Sequence, residues 1–114
     1  KKLKELGRPW EIAKGFDGAC PTAGFVPAAL VEEPQQLQFS LKVNNEVRQQ
    51  GDARLMIRSI NQMLVEMSQW FTLLPGDIVL TGTPAGVGPL QHQDQLQLTL
   101  NPWLDIRTTV HHTV

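Results

Sequence analysis

Leu74-Pro75-Gly76-Asp77-Ile78-Val79-Leu80-Thr81-Gly82-Thr83-Pro84-Ala85-Gly86-Val87-Gly88-Pro89-Leu90 organises the chain. Pro75-Gly76-Asp77 is a turn signal. Ile78, Val79 and Leu80 are a short apolar run of β-forming residues, as expected for a covered strand. Residues 81–88 come next, with three glycines, one proline and no charge. Glycine admits positive φ and lets a backbone come close to another group. Backbone N–H groups and threonine hydroxyls gathered at a strand's end can cradle an anion. No Gly-Lys-Ser/Thr is present after it, so this is not a phosphate loop, and Gly-x-x-x-Gly-x-Gly is not the dinucleotide spacing. On glycine count alone, a tight surface turn is the more ordinary reading.

Downstream, Leu96, Leu98 and Leu100 alternate with polar residues, Asn101-Pro102 turns the chain, and residues 104–110 return. Upstream lies the one convincing helix. Ser59-Ile60-Asn61-Gln62 is a capping box, and Ile60, Met63, Leu64, Met67, Trp70 and Phe71 repeat at three and four to give one apolar face, expected to be core. Residues 55–57 form a turn before it. Leu37, Phe39, Leu41 and Val43 share one face of a half-buried strand over residues 37–43. Asn44-Asn45 is a hairpin turn, and residues 46–50 return with Val47 expected inward. Residues 18–27 are rich in small residues and proline and read as irregular, and residues 11–17 read as strand or loop. Residues 1–7, with basic side chains and then Gly7, read as a helix end, so the chain is expected to be a piece of a longer protein. The reading is a single domain, 1–114, mainly β with one central helix.

Ten basic and eleven acidic residues give a formal charge of −1. That balance excludes an electrostatic nucleic-acid binder. No apolar run approaches the ~20 residues of a membrane span, and no signal-peptide pattern is read. The single cysteine, Cys20, fits a reducing compartment such as the cytoplasm. A small buried thiol is its expected role.

A metal site needs converging carboxylates or imidazoles, and no convincing cluster is read here. His111-His112 would point to opposite faces of a strand, His92 sits in a polar turn, and Glu32-Glu33 would point apart. Asp77 and Asp94 stand in turns ahead of strands, where aspartate caps backbone N–H groups. Lys14 is a lone cation in Ile12-Ala13-Lys14-Gly15-Phe16. It is either snorkelling or aimed at an anion, and the residues alone leave the two equal.

Pro9-Trp10-Glu11-Ile12-Ala13-Lys14-Gly15-Phe16-Asp17 with Cys20-Pro21 resembles the start of the C-terminal half of the fumarylacetoacetate hydrolase family. Residues 74–90 resemble that family's Gly-Asp-hydrophobic-hydrophobic-x-Thr-Gly-Thr-Pro-x-Gly-Val-Gly motif. Leu41-Lys42-Val43-Asn44, Gln49-Gln50-Gly51 and the helix fall between in the expected order, so the resemblance covers essentially the whole chain. It points to the short bacterial members related to acylpyruvases and oxaloacetate-decarboxylating proteins.

The resemblance implies a mixed β-roll, incomplete here on its N-terminal side, and a homodimer. It implies a Mg²⁺ or Mn²⁺ ion held by carboxylates, and small 2-oxo or β-diketo acid substrates. The implied reaction is C–C hydrolysis, decarboxylation or tautomerisation. By resemblance Lys14 is catalytic and binds substrate beside the metal, and Gly82 and Thr83 bind the substrate's carboxylate end. The sequence departs from the family in having no Glu-x-Glu pair. Metal ligands are therefore expected upstream of Lys1, and none is expected in these residues. The rival reading is a non-catalytic β-domain or truncated fragment that binds a carboxylate or a partner chain.

Overall fold

A computed structural model describes residues 15–112. The expected helix end at residues 1–7, the stretch 11–14 and Lys14 itself lie outside the described residues. Four strands form one sheet: β1 (Gln38–Val43), β2 (Glu46–Asp52), β3 (Gln95–Asn101) and β4 (Leu104–Thr109). Their order is β2-β1-β3-β4, and every pairing is antiparallel. One helix, α1 (Ile60–Trp70), lies between β2 and β3 in the chain. The mainly β reading with a single central helix therefore holds.

Alternation decides the two faces of the sheet. Phe39, Leu41 and Val43 of β1 pair with Leu100, Leu98 and Leu96 of β3, and β4 adds Leu104 and Ile106 to that face. The other face is polar. There the Ser40 and Thr99 hydroxyls hydrogen-bond across the β1–β3 pair, and Gln97 donates to Asp105 at 3.1 Å. Asn44 and Asn45 have φ of 51° and 67°, the two positive values that a tight two-residue hairpin turn requires. The β3–β4 turn forms at Asn101-Pro102, a cis peptide, with the Trp103 N–H donating to the Leu100 carbonyl.

Val47 is not inward. The β1–β2 register shifts at Leu41/Lys42, so that Leu41 faces Gln49 while Lys42 faces Val47. Arg48 is the extra residue of a β-bulge. Val47 thus shares the polar face with Lys42 and is exposed, whereas Gln49 and Gly51 turn to the apolar face. Phe39 lies over Gly51, where a Cβ would stand 2.1 Å from the ring.

The capping box at α1 is complete: Ser59 accepts from the Gln62 N–H at 3.1 Å, and Gln62 accepts from the Ser59 N–H at 3.0 Å. Gln35, in the 3-10 turn Pro34–Gln36, accepts from Ile60 N–H and donates to the Ala53 carbonyl, which ties the helix start to the sheet's end. Ala53 opens a second 3-10 turn, Ala53–Leu55, capped by Asp52. The Arg54 side chain and backbone donate to the Asp52 carboxylate and hold its pKa at about 2.

The apolar face of α1 is not core. Leu64 is 37% exposed and Trp70 82%, and no residue of the helix is buried. Among the described residues no strand or helix covers that face. Only Val43, 5% exposed, and Ala53, 9%, are buried hydrophobics among them. The chain exposes 9803 Å², whereas a closed monomer of this mass exposes roughly 6,200 Å². Cys20, expected to be buried, is exposed, because residues 18–27 run over the surface as an irregular segment.

Candidate functional site

The Gly/Pro loop begins at a turn. The Asp77 N–H donates to the Leu74 carbonyl at 3.0 Å, and the Asp77 carboxylate accepts from the Leu74 N–H at 2.8 Å. Asp94 does the same to Gln91, at 3.1 and 2.8 Å. Both aspartates are the turn caps that their positions suggest. Asp94 also accepts from the Asn44 side chain at 2.9 Å. The Gln91 N–H first, and the Asn44 amide second, hold the Asp94 carboxyl below the usual aspartate range.

The expected strand at Ile78-Val79-Leu80 is not formed. These residues make no ladder, and Ile78 and Leu80 are 53% and 74% exposed. Three β-forming residues do not make a strand without a neighbour to pair with, and among the described residues none adjoins them.

The loop itself is seated on the bulge of β2. Gly86 has φ +106°, and a Cβ there would stand 2.1 Å from the Arg48 carbonyl oxygen. Only glycine fits that approach. The Arg48 guanidinium donates to the Pro89 carbonyl at 3.3 Å. The Gln49 amide nitrogen donates to Thr83 Oγ1 at 2.9 Å and to the Pro84 carbonyl at 3.0 Å. Gly82 has φ +105°, with open space where its side chain would be. Gly82 and Thr83 thus stand at an open part of the loop, held from behind by β2. An open depression of about 570 Å³ lies beside it, between the β1–β2 turn and residues 89–94. Arg48 lines that depression but Thr83 does not.

Gln49 is the residue that sequence reasoning missed. On unbroken alternation from Glu46 it shares a face with Val47, and only the bulge turns it towards the loop. The broken pattern Val47-Arg48-Gln49-Gln50-Gly51 was the available signal.

No group of three or more His, Cys, Asp or Glu among the described residues is arranged to hold a metal ion. His111 and His112 do not flank a strand: β4 ends at Thr109, and both rings come within 6.0 Å of the His92 ring, centroid to centroid. His92 Nδ1 accepts from the His112 N–H at 2.9 Å. That bond leaves the proton of a neutral ring on Nε2, which suits a metal ligand poorly. Among the described residues no helix is long and apolar enough to cross a membrane.

The family model of the fumarylacetoacetate (FAA) hydrolase C-terminal domain matches residues 1–111. This chain belongs to the fumarylacetoacetate hydrolase family. It is 52% identical over 101 residues to oxaloacetate tautomerase YcgM of Escherichia coli (strain K12), covering 88% of this chain and 46% of that protein. A fumarylacetoacetate hydrolase family protein from Yersinia pestis CO92 superposes with a TM-score of 0.89 at 50% identity, over 96% of this chain and 50% of that one. Fumarylpyruvate hydrolase from Pseudomonas aeruginosa, solved in complex with Mn²⁺ and pyruvate, superposes with a TM-score of 0.87 at 35% identity, over 96% and 47%. The chain spans about half the length of the curated relatives it matches.

Proposed function

We propose that this chain is the C-terminal portion of the catalytic domain of a metal-dependent enzyme acting on 2-oxo acids. Keto–enol tautomerisation of a short 2-oxo dicarboxylic acid of the oxaloacetate type is the leading reaction. The 52% identity to a protein named for that activity supports it. C–C hydrolysis of an acylpyruvate-type acid is second, supported by the likeness to a fumarylpyruvate hydrolase.

The observation that carries the reading is the seating of the Gly/Pro loop. Gly86 against the Arg48 carbonyl and Gln49 beneath Thr83 make a fixed, open edge of backbone and hydroxyl. In this proposal Gly82 and Thr83 receive the substrate's carboxylate there. Lys14, whose position lies outside the described residues, supplies an ammonium to the oxygen that gains negative charge as the enol forms. The described residues do not themselves fit a divalent metal. A Mg²⁺ or Mn²⁺ ion, as Mn²⁺ in the Pseudomonas relative, would be held by carboxylates elsewhere in the protein. Its positive charge would lower the cost of an anionic oxygen.

A homodimer is part of the proposal, supported by the apolar face of α1, which no described strand or helix covers. A reducing, cytoplasmic setting is supported by the single exposed thiol.

The test is made in the full-length protein with oxaloacetate. Thr83→Val keeps the shape and removes the hydroxyl. Catalytic efficiency should fall about tenfold to a hundredfold, the worth of one or two polar contacts, with Tm nearly unmoved. Lys14→Met should cost about thirty- to a hundredfold, mainly in kcat, because an ammonium near developing charge matters most in the transition state. Thr83→Val with wild-type activity and a lowered Tm would return the loop to a simple turn. Wild-type kinetics in Lys14→Met would make Lys14 a surface lysine.

A further inference from the structure

We infer that Gln49 is a positioning residue: it fixes the direction in which the Thr83 hydroxyl donates its proton. The inference rests on the proposed role of Thr83 in binding the substrate's carboxylate.

A carbonyl oxygen can only accept a hydrogen bond. The end of the Gln49 side chain that lies 3.0 Å from the Pro84 carbonyl is therefore its NH₂ group, and the amide has one possible orientation. The same nitrogen lies 2.9 Å from Thr83 Oγ1. An NH₂ group has two protons, and both are now spoken for. Thr83 must then be the acceptor in its bond to Gln49. A threonine hydroxyl has one proton and two lone pairs. With a lone pair turned to Gln49, the proton points away from β2, and among the described residues no acceptor takes it. It is left to be donated to a ligand beside the loop. An anion there meets a donor and not a lone pair. The bond to Pro84 adds a second effect, because it ties the Pro84–Ala85 peptide to the same amide and so holds the backbone that follows Thr83.

The arrangement depends on the bulge at Arg48. Without the extra residue, Gln49 would lie opposite Ser40 on the polar face and could not reach the loop. The register shift at Leu41/Lys42 places it opposite Leu41 instead.

Two substitutions of Gln49 separate polarity from shape. Gln49→Met keeps the length and removes both donors. Gln49→Glu keeps the outline but only accepts, so it draws the Thr83 proton towards β2. The experiment measures kcat and KM with oxaloacetate, and inhibition by pyruvate, in the full-length protein, in wild-type and Thr83→Val backgrounds. In the wild-type background Gln49→Met should lower kcat/KM about fivefold and Gln49→Glu at least thirtyfold, both mainly through KM. Pyruvate inhibition should weaken in parallel. In the Thr83→Val background Gln49→Met should change kcat/KM by less than twofold, because no hydroxyl remains to be aimed. A loop that merely collapses would cost the same in both backgrounds, and that result would overturn the inference. It would also be overturned if Thr83→Val impairs binding while both Gln49 variants stay within twofold of wild type. If Gln49→Met does not fold, Gln49→Glu decides by the same comparison. If Thr83→Val itself leaves the kinetics unchanged, the Thr83 reading fails and this inference fails with it, whatever Gln49 does.

Discussion

Leu74–Asp77 and Gln91–Asp94 are the same turn made twice. Each closes with an N–H from its aspartate to the first carbonyl, and each aspartate accepts from the first N–H. Each has a positive φ at its third residue, 92° at Gly76 and 69° at Gln93. Beyond the two turns the chain takes different courses. After Asp94 it enters β3, which is paired on both sides by β1 and β4. After Asp77 three residues of stronger β preference stay unpaired among the described residues, with Ile78 and Leu80 exposed. A turn is set by four residues and their own hydrogen bonds. A strand is set by what lies beside it.

The contrast can be broken in three ways. The largest effect is expected from the packing beneath the second turn. Val43 is buried opposite Leu96, and Val43→Ala should cost the 114-residue chain about 2 kcal/mol in denaturant unfolding, for two lost methyl groups and the gap they leave. Leu80→Ala should cost less than ~0.5 kcal/mol, as exposed substitutions do. Equal losses would mean that residues 78–80 are packed after all.

A smaller effect separates the two caps. Asp94 holds the Asn44 amide as well as its own turn, so Asp94→Asn should lower Tm by a few degrees and by more than Asp77→Asn does. The carboxyl of Asp94 is held below the usual range by the Gln91 N–H and then the Asn44 amide. Its stabilisation is therefore complete well above the usual aspartate pKa near ~3.9 and fades as pH falls through its lower folded value. The gap in Tm between wild type and Asp94→Asn should close on acidification. A gap that widens towards low pH would reverse the sign and reject the account.

The smallest effect tests the shared geometry. Gln93 occupies a left-handed conformation that disfavours a Cβ. Gln93→Gly should stabilise the chain by about 0.5–1 kcal/mol, and Gly76→Gln should destabilise it by a similar amount. Opposite signs at equivalent positions would show that the two turns are one design. Like signs would show that they are not.

The same contrast explains what is legible in the residues alone. Features written within a few residues can be read: the alternation of β1 and β3, the Asn44-Asn45 hairpin, the Ser59–Gln62 box and both aspartate caps. Features that depend on a distant neighbour cannot. Val47 turns outwards because of a bulge, and periodicity does not announce bulges. The face of α1 has the right period for a core, but period says nothing about whether a cover is present. Ile78–Leu80 has the composition of a strand and, among the described residues, no partner. The loop at Gly82–Gly88 is recognisable by its motif, yet Gln49, which holds it, gives no signal beyond a broken alternation. The expected place of Lys14 beside Thr83 comes from resemblance alone.

Asn44 joins parts of the chain that are about fifty residues apart. Its amide nitrogen donates to Asp94, its amide oxygen accepts from the Gln95 N–H at 2.9 Å, and its backbone N–H reaches the Gln95 carbonyl. Hydrolysis of that side-chain amide to aspartate, one outcome of asparagine ageing, would keep the outline of the side chain. It would replace the donor 2.9 Å from the Asp94 carboxylate with a second carboxylate, and two such groups at that distance cannot both stay ionised without cost. The clasp between the first hairpin and the second would become a repulsion through the loss of one ammonia. Old preparations of the protein would then loosen first where β1 meets β3.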